Sequence, residues 1–190
     1  VWAQRLSFTG ELGWEIFVTP DFAEHVMEQL LEAGKDVGIK LIGSEALNAL
    51  RIEKGFLHWG HDVSYSEAPH QLGLSFLCNK DQDYIGKRAA SERRQTAQGS
   101  QLCYLKLLDG QPLLYHNEPV LMAGKVIGFV TSGAWSDGQH AAVSLAFVNL
   151  KRGDKAVNDK QFEVIVEGVA YPAQLSWRPF YDPENHRCKG

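Results

Sequence analysis

The chain opens with two short runs of strand-forming residues on either side of a glycine turn. Residues 1–8 and 14–18 are predicted to be strands, and "GELG" at 10–13 is predicted to turn between them. Both glycines of this turn tolerate positive φ, which gives the segment the pattern of a hairpin. Because the chain starts inside a strand pattern and without an initiator Met, we interpret it as a fragment of a longer protein.

Helical spacing of apolar residues follows the hairpin pattern. Helices are predicted over 20–34 and 44–54, with Gly34 and Gly55 as their stops. A third, short helix is predicted over 85–96, and its mixed charges indicate a face exposed to solvent. Together these elements predict a partial α/β domain, built from the hairpin and the helices.

From Leu102 onward the pattern changes to short β-rich runs that are separated by turn residues. Asp-Gly and Ala-Gly pairs between these runs are typical of tight turns. Strands punctuated in this way predict a small all-β barrel or sandwich. The predicted fold class is therefore α+β, with a boundary near Gln98 that divides the chain into domains 1–97 and 98–190.

Composition excludes several classes of function. The 190 residues are 44% hydrophobic and 22% charged, with a formal net charge of −4. This mild acidity argues against a surface for nucleic acid or for an anionic membrane, and no apolar run approaches the roughly 20 residues that span a bilayer. Three widely spaced cysteines without a C-x-x-C pair favour reduced thiols in an intracellular compartment over disulfides or structural zinc.

Potential metal ligands lie close together in "HWGHDV", which contains His58, His61 and Asp62, with His70 downstream. A metal site needs ligands that converge and a second shell that fixes them. No second cluster completes a ligand set in this chain, so the pattern predicts no metal site.

Nucleophilic and dinucleotide-dependent chemistry are not favoured either. Ser132 has Asp137 and His140 nearby in sequence, but catalytic triads assemble in space and Ser132 lacks the G-x-S-x-G elbow. A turn between two strands is expected to account for Ser132, Gly133, Asp137 and Gly138. Neither G-x-G-x-x-G nor a P-loop occurs in the chain.

The remaining candidate is the opening motif itself, "TGELGWEIF", which carries Glu11 and Glu15 around the glycine turn. A carboxylate at Glu15 could accept two N–H donors from an amino-pyrimidinone edge, the edge found in pterins and guanine. Trp14 or Phe8 could add a stacking or edge contact. From the residue types alone, an exposed strand glutamate is the simpler interpretation of Glu15.

Six segments along nearly the whole chain form a recognisable series when they are taken in order. They are "SFTGELGWEIFV", "ALNALRIEKGFLHWGHDV", "DYIGKRA", "NEPVLMAGKVIGFVTSGAW", "VSLAFV" and "RPFYDPENHR". This series resembles the folate-binding aminomethyltransferase family, which includes the glycine cleavage T-protein. Within it, "GELGWE", "LRIEKG" and the terminal "PFYDPE" are most similar to the folate-binding parts of dimethylglycine and sarcosine dehydrogenases.

The resemblance implies a cofactor-binding role for residues of the opening motif. It assigns contact with the pterin ring of tetrahydrofolate to Glu15 and a ring contact to Phe8, where the family usually has Tyr. Trp14, beside Glu15, is the third predicted cofactor-binding residue, and it is chosen for its aromatic side chain. Two folate-contacting residues of T-proteins are replaced in this chain. Leu47 stands in place of an Arg, and Tyr181 is only a nearby substitute for a terminal Tyr.

The resemblance implies transfer of a one-carbon unit from a small-molecule amine donor to N5 of tetrahydrofolate, which yields 5,10-methylenetetrahydrofolate. The family's catalytic Asp lies in an N-terminal region outside this sequence, so no catalytic residue is assigned here and the fragment alone is expected to be inactive. That missing region of the same chain is the expected partner, and it could carry FAD. The expected location is the cytoplasm, or the mitochondrial matrix in a eukaryote.

Two alternatives to this function stay open. The first is a folate-dependent demethylase that acts on another methyl donor and yields 5-methyltetrahydrofolate. The second is a non-catalytic relative that keeps folate binding, or only the scaffold, for regulation or assembly. Phe8 and Leu47, the two departures from the family pattern, are the residues that support the second alternative.

Overall fold

The computed structural model describes residues 1–78, 81–96, 99–109, 112–152 and 161–190. The predicted domain boundary near Gln98 lies outside these described residues. Within them, no helix is long and apolar enough to cross a membrane.

The N-terminal part contains a small hairpin and three helices. Strands β1 (Trp2–Gln4) and β2 (Glu15–Phe17) pair antiparallel as a two-stranded sheet. Helices α1 (Pro20–Gly34), α2 (Ser44–Lys54) and α3 (Lys87–Thr96) follow, with 3-10 turns at Lys35–Val37 and Ser75–Leu77. The predicted order of elements is correct, although both strands and α3 are shorter than predicted.

The glycines of the N-terminal part differ in their roles. Gly10 has φ +87, as a turn glycine should, but Gly13 does not have a positive φ. Helix α1 ends at Gly34, yet the left-handed residue that closes this region is Gly38, with φ +75, after the 3-10 turn. Gly55, with φ +76, closes α2 as predicted by donating its backbone N–H to Ile52 O and Arg51 O.

Helix α1 buries almost nothing within this chain. The apolar stripe that defines it in the sequence is open to solvent, with Phe22 61% exposed and Met27 43% exposed. Gly34 is its one buried residue. By contrast, α2 buries Arg51, Ile52 and Lys54. The helix that matters for the packing of the described molecule is therefore α2.

The C-terminal half is a closed antiparallel barrel, as the sequence predicts. Its strand order is β3-β6-β5-β4-β7-β8, and β8 pairs back to β3. The barrel strands are β3 (Gln101–Leu107), β4 (Pro119–Met122), β5 (Lys125–Ser136), β6 (Ala141–Val148), β7 (Phe162–Val166) and β8 (Val169–Ser176). A short helix, α4 (His186–Lys189), ends the chain.

Two apolar clusters form the core, one inside the barrel and one between the barrel and α2. Alternate residues of β3 point inward, where Cys103, Leu105 and Leu107 join the barrel core. On the outer face, Leu102 packs with Leu145 and with Ile52 of α2. The second cluster covers one wall of the barrel with α2, so that β6 is buried on both of its faces.

Candidate functional site

The glycine turn of the opening motif rests on the side chain of Lys54. A Cβ built on Gly10 would lie 2.7 Å from Cβ and Cγ of Lys54, so only glycine allows this approach. The backbone N–H of Gly10 donates to Ser7 Oγ at 3.0 Å. The turn therefore packs against a side chain of helix α2. The positive φ of Gly10 is a second reason why this position requires glycine.

The two glutamates of the motif have different surroundings. The Glu11 carboxylate accepts a hydrogen bond from the Tyr181 hydroxyl, and this bond is the main reason that the pKa of Tyr181 rises to about 12. Glu15 begins β2 opposite Gln4 and is exposed, and its carboxylate has no hydrogen bond or ion pair with the described residues. Of the two acids, Glu15 is the one available to a ligand.

The aromatic residues of the motif are also separated. Phe8 is half-buried, with its ring edge-on to His58 at a centroid distance of 6.3 Å. Trp14 is 62% exposed, directly before Glu15. The motif therefore offers one aromatic ring fixed against a neighbour and one that is open to solvent.

A row of imidazoles continues from Phe8 towards the barrel. The centroid of His58 lies 6.0 Å from that of His61, which lies 5.2 Å from that of His116. His116 is anchored to β5, because its Nδ1 lies 2.6 Å from Thr131 O. The described residues hold no group of three His, Cys, Asp or Glu arranged for a metal ion.

Asp62, considered above among the potential metal ligands, instead forms a buried ion pair with Arg51. Its carboxylate also accepts hydrogen bonds from Ser132 Oγ, Thr131 Oγ1 and the backbone N–H of His58. Burial by itself raises the pKa of Asp62, but the hydrogen bonds from Ser132 and His58 and the charge of Arg51 outweigh it and lower the pKa.

Ser132 corrects a second sequence interpretation. It lies in the middle of β5 rather than in a turn, is buried, and accepts from Arg51 Nη2 at 2.9 Å while donating to Asp62. Its hydroxyl proton is committed to a carboxylate, not to a histidine. The turn predicted around it is formed only by residues 137–140.

A β-bulge in β5 makes this cluster possible. In the pairing with β6, Val130 lies opposite Ala146 and Ser132 lies opposite Leu145, which leaves Thr131 as an extra residue. Consecutive side chains of a regular strand point to opposite faces. The bulge turns the hydroxyls of Thr131 and Ser132 towards the same oxygen of Asp62.

Other residues singled out in the sequence lie apart from this site. His70 lies near α3, where desolvation and the charges of Arg93 and Arg94 lower its pKa. Leu47 is half-buried on α2. Sequence reasoning missed Asp62 as the partner of Arg51, although a charged residue on the apolar face of α2 was the available signal.

Comparison with known families agrees with this architecture. Residues 1–82 match the model of the "GCVT N-terminal domain", and residues 101–182 match that of the "Glycine cleavage T-protein C-terminal barrel domain". The chain belongs to the glycine cleavage T-protein family. The T-protein family barrel corresponds to the six-stranded barrel described above, and its N-terminal model covers the hairpin, α1 and α2.

Similar proteins include an oxidase, a dehydrogenase and an aminomethyltransferase. The chain is 39% identical to 4-methylaminobutanoate oxidase (formaldehyde-forming) of Paenarthrobacter nicotinovorans over 98% of its length, and 34% identical to mitochondrial dimethylglycine dehydrogenase of Rattus norvegicus over 100%. It spans 22% of each of these proteins. It is 33% identical to an aminomethyltransferase of Halothermothrix orenii, of which it spans 48%.

A solved structure of the family has the same fold. The crystal structure of glycine cleavage system aminomethyltransferase T from Bartonella henselae superposes with a TM-score of 0.81, at 23% sequence identity. The alignment covers 95% of this chain and 50% of the other. The match extends across the N-terminal elements and the barrel, and it establishes the fold.

Proposed function

We propose that this chain supplies the pterin-binding face of a tetrahydrofolate-dependent one-carbon transfer site. The observation that carries the proposal is the contrast between the two motif acids. Glu11 is occupied by Tyr181, whereas the Glu15 carboxylate is exposed and has no partner among the described residues. An acid left in this state, in the family's pterin-gripping position, is suited to a ligand with paired N–H donors.

The chemistry of the other groups fits a pterin. Phe8 presents a ring fixed by the edge of His58, which suits contact with a flat heterocycle but provides no hydroxyl. Trp14 adds an exposed aromatic surface next to Glu15. Tyr181 does not replace the terminal folate-contacting Tyr in this proposal, because its hydroxyl is bound to Glu11.

The proposed reaction depends on groups outside this chain. An amine donor would yield the one-carbon unit, and holding it against the folate nitrogen would provide most of the acceleration. The catalytic Asp and any flavin would belong to a preceding region, which we propose covers the exposed face of α1. The chain alone would then be inactive. Its proposed location is the cytoplasm, or the mitochondrial matrix in a eukaryote.

The decisive test is Glu15→Gln in the protein at its natural full length. Losing a charge-assisted hydrogen bond worth about 1.5–3 kcal/mol should weaken tetrahydrofolate binding roughly 10- to 150-fold. Calorimetric titration with tetrahydrofolate measures this change. Glu167→Gln, an exposed acid in the turn between β7 and β8, is the matched control and should bind normally. Unchanged affinity in the Glu15 variant would refute the assignment.

A second candidate function is suggested by the 39% identical oxidase, whose name describes it as formaldehyde-forming. In this alternative, the one-carbon unit leaves as formaldehyde and the chain acts as a scaffold. Product analysis with and without tetrahydrofolate separates the possibilities. Methylenetetrahydrofolate supports the proposed function, 5-methyltetrahydrofolate indicates direct methyl transfer, and formaldehyde in both conditions supports the scaffold.

A further inference from the structure

The end of the chain folds back onto the opening motif. Residues 178–190 are separated from the glycine turn by most of the sequence, including the whole barrel, yet two contacts join them to the turn and a third joins them to Arg5. The Tyr181 hydroxyl donates to Glu11, Cys188 Sγ donates to Gly10 O at 3.1 Å, and the Arg5 guanidinium donates to Lys189 O. The turn is therefore held from outside by the C-terminal segment.

Asp182 organises this segment. Its carboxylate accepts from Lys54 Nζ at 2.7 Å and from the backbone N–H groups of His186 and Arg187 at 2.8 and 3.1 Å. Its backbone carbonyl also accepts from Lys54, at 2.6 Å. The side chains of Lys54 and Asp182 are only 1% and 8% exposed, so the pair is shielded from solvent.

Lys54 connects Asp182 to the glycine turn. The methylene groups of its side chain lie against Gly10, while its ammonium group is bound to Asp182. A buried ammonium needs its partner, because leaving it unpaired is costly. The position of the Lys54 methylene groups, against which the turn packs, therefore depends on the carboxylate of Asp182.

No side chain among the described residues holds the Glu15 carboxylate in place. Its position follows from the backbone of the turn and from the pairing of β2 with β1. A carboxylate that must accept two parallel N–H bonds tolerates little displacement. The segments that hold the turn thus control the geometry of the acid.

We propose that Tyr181, Asp182 and Cys188, together with Lys54, form a latch that positions the glycine turn and thereby Glu15 for pterin binding. This inference rests on the proposed function, which assigns pterin binding to Glu15. The latch residues are positioning residues and do not themselves touch the ligand. The C-terminal segment thereby becomes part of the binding site, although it lies beyond the barrel in the sequence.

Two variants and one matched control test the latch in the protein at its natural full length. Tyr181→Phe removes a single hydroxyl, and Asp182→Asn removes the charge while suiting the positive φ of 39° at this position, which Asn tolerates. Glu184→Gln is the control, because it removes a carboxylate two residues away that pairs with Arg178 on the exposed surface. Glu15→Gln is measured alongside them.

Two readouts are needed, because a variant could simply lower global stability. Hydrogen exchange of the amides at 8–14 should become roughly fivefold or more faster in Tyr181→Phe and Asp182→Asn, as expected for the loss of one hydrogen bond. Tetrahydrofolate affinity should fall about fivefold in the same variants. Exchange in β3 and β6 should stay unchanged, since a merely structural defect would raise it everywhere.

The outcomes separate the latch from the proposed function. If Glu15→Gln weakens folate binding while both latch variants bind and exchange like the wild type, the latch is wrong and the proposed function stands. If Glu15→Gln binds normally, the proposed function fails, and exchange at 8–14 decides whether the C-terminal segment holds the turn. A Glu184→Gln variant that matches Asp182→Asn in both readouts would also overturn the latch.

Discussion

Two glutamates four residues apart, Glu11 and Glu15, have different surroundings, because a tyrosine from the other end of the chain binds only the first of them. Tyr181 takes the first acid into a hydrogen bond and leaves the second exposed. In the interior, Arg51 and Asp62 are likewise occupied by partners. They form an ion pair with each other, and Arg51 also donates hydrogen bonds to Asn48 and Ser132, so neither charge is available for a metal or a substrate. At the scale of the residue, hydrogen-bond partners decide which charges can act.

Asp62→Asn should strongly destabilise the protein. The substitution leaves the Arg51 guanidinium buried without a counter-charge, and breaking a buried ion pair in this way costs about 3–5 kcal/mol. The free energy of unfolding at neutral pH, from urea denaturation, measures the loss. Glu28→Gln, an exposed acid on α1, should change it little.

The pH dependence of the Asp62→Asn effect provides a check. The pKa of Asp62 is lowered on folding, so its contribution is present above the unfolded pKa of about 3.9 and disappears as pH falls through the folded pKa. The stability difference between wild type and variant should therefore shrink below about pH 4. A difference that stays constant down to acid unfolding would contradict the assigned role of the carboxylate.

At the scale of the element, α2 is the part that connects the two halves. Its buried face packs Ile52 against the barrel wall, its Arg51 reaches Ser132 of β5, and its Lys54 supports the glycine turn. The helix ends at Gly55 where the chain must turn away beneath Tyr104. Its stop is therefore a packing requirement as well as a backbone requirement.

Gly55→Ala should cost more stability than Gly38→Ala. Both glycines have nearly the same φ, +76 and +75, so the left-handed backbone penalty of about 1–2 kcal/mol is shared. A Cβ at Gly55 would also lie 2.4 Å from Cε1 of Tyr104, whereas a Cβ at Gly38 meets nothing within 4 Å. Urea denaturation of the two variants measures the difference, and equal losses would show that Tyr104 yields freely.

Many of the helices and strands were predictable from the sequence. The bounds of α2, its glycine stop and the β-rich half follow from spacing and turn residues, which are local signals. The exposure of α1 was not predictable, because its apolar stripe has the same pattern whether or not a neighbour covers it. The partners of Asp62 and Glu11 were also missed, since contacts between distant residues leave no local pattern in one sequence.

At the scale of the whole molecule, the parts of the described chain differ in how much apolar surface they bury. The barrel has its own buried core and shares a second buried cluster with α2, whereas β1, β2 and α1 present large apolar side chains to solvent. The two family models divide the chain between residues 82 and 101, but the packing places α2 with the barrel. The unit of stability thus crosses the division that sequence similarity suggests.

A truncated chain of residues 99–190 should be less stable than one of residues 44–190. Removing residues 44–98 takes Ile52 of α2 off Leu102, Val143 and Leu145 on the barrel wall, and it removes both partners of Ser132, Arg51 and Asp62. Exposing such side chains costs about 1.5–3 kcal/mol for each one fully uncovered. Midpoints of urea unfolding compare the two chains. Equal midpoints would show that the barrel is an independent unit.

Because of the bulge at Thr131, the contacts of β5 with Asp62 depend on the number of residues in the strand. Shortening the strand by one residue there would produce a regular hydrogen-bond ladder with β6, so the backbone pairing itself would not oppose the deletion. It would also turn one of the two hydroxyls away from Asp62. Homologues with a deletion at this point should therefore carry a changed residue at the position of Asp62 or Arg51.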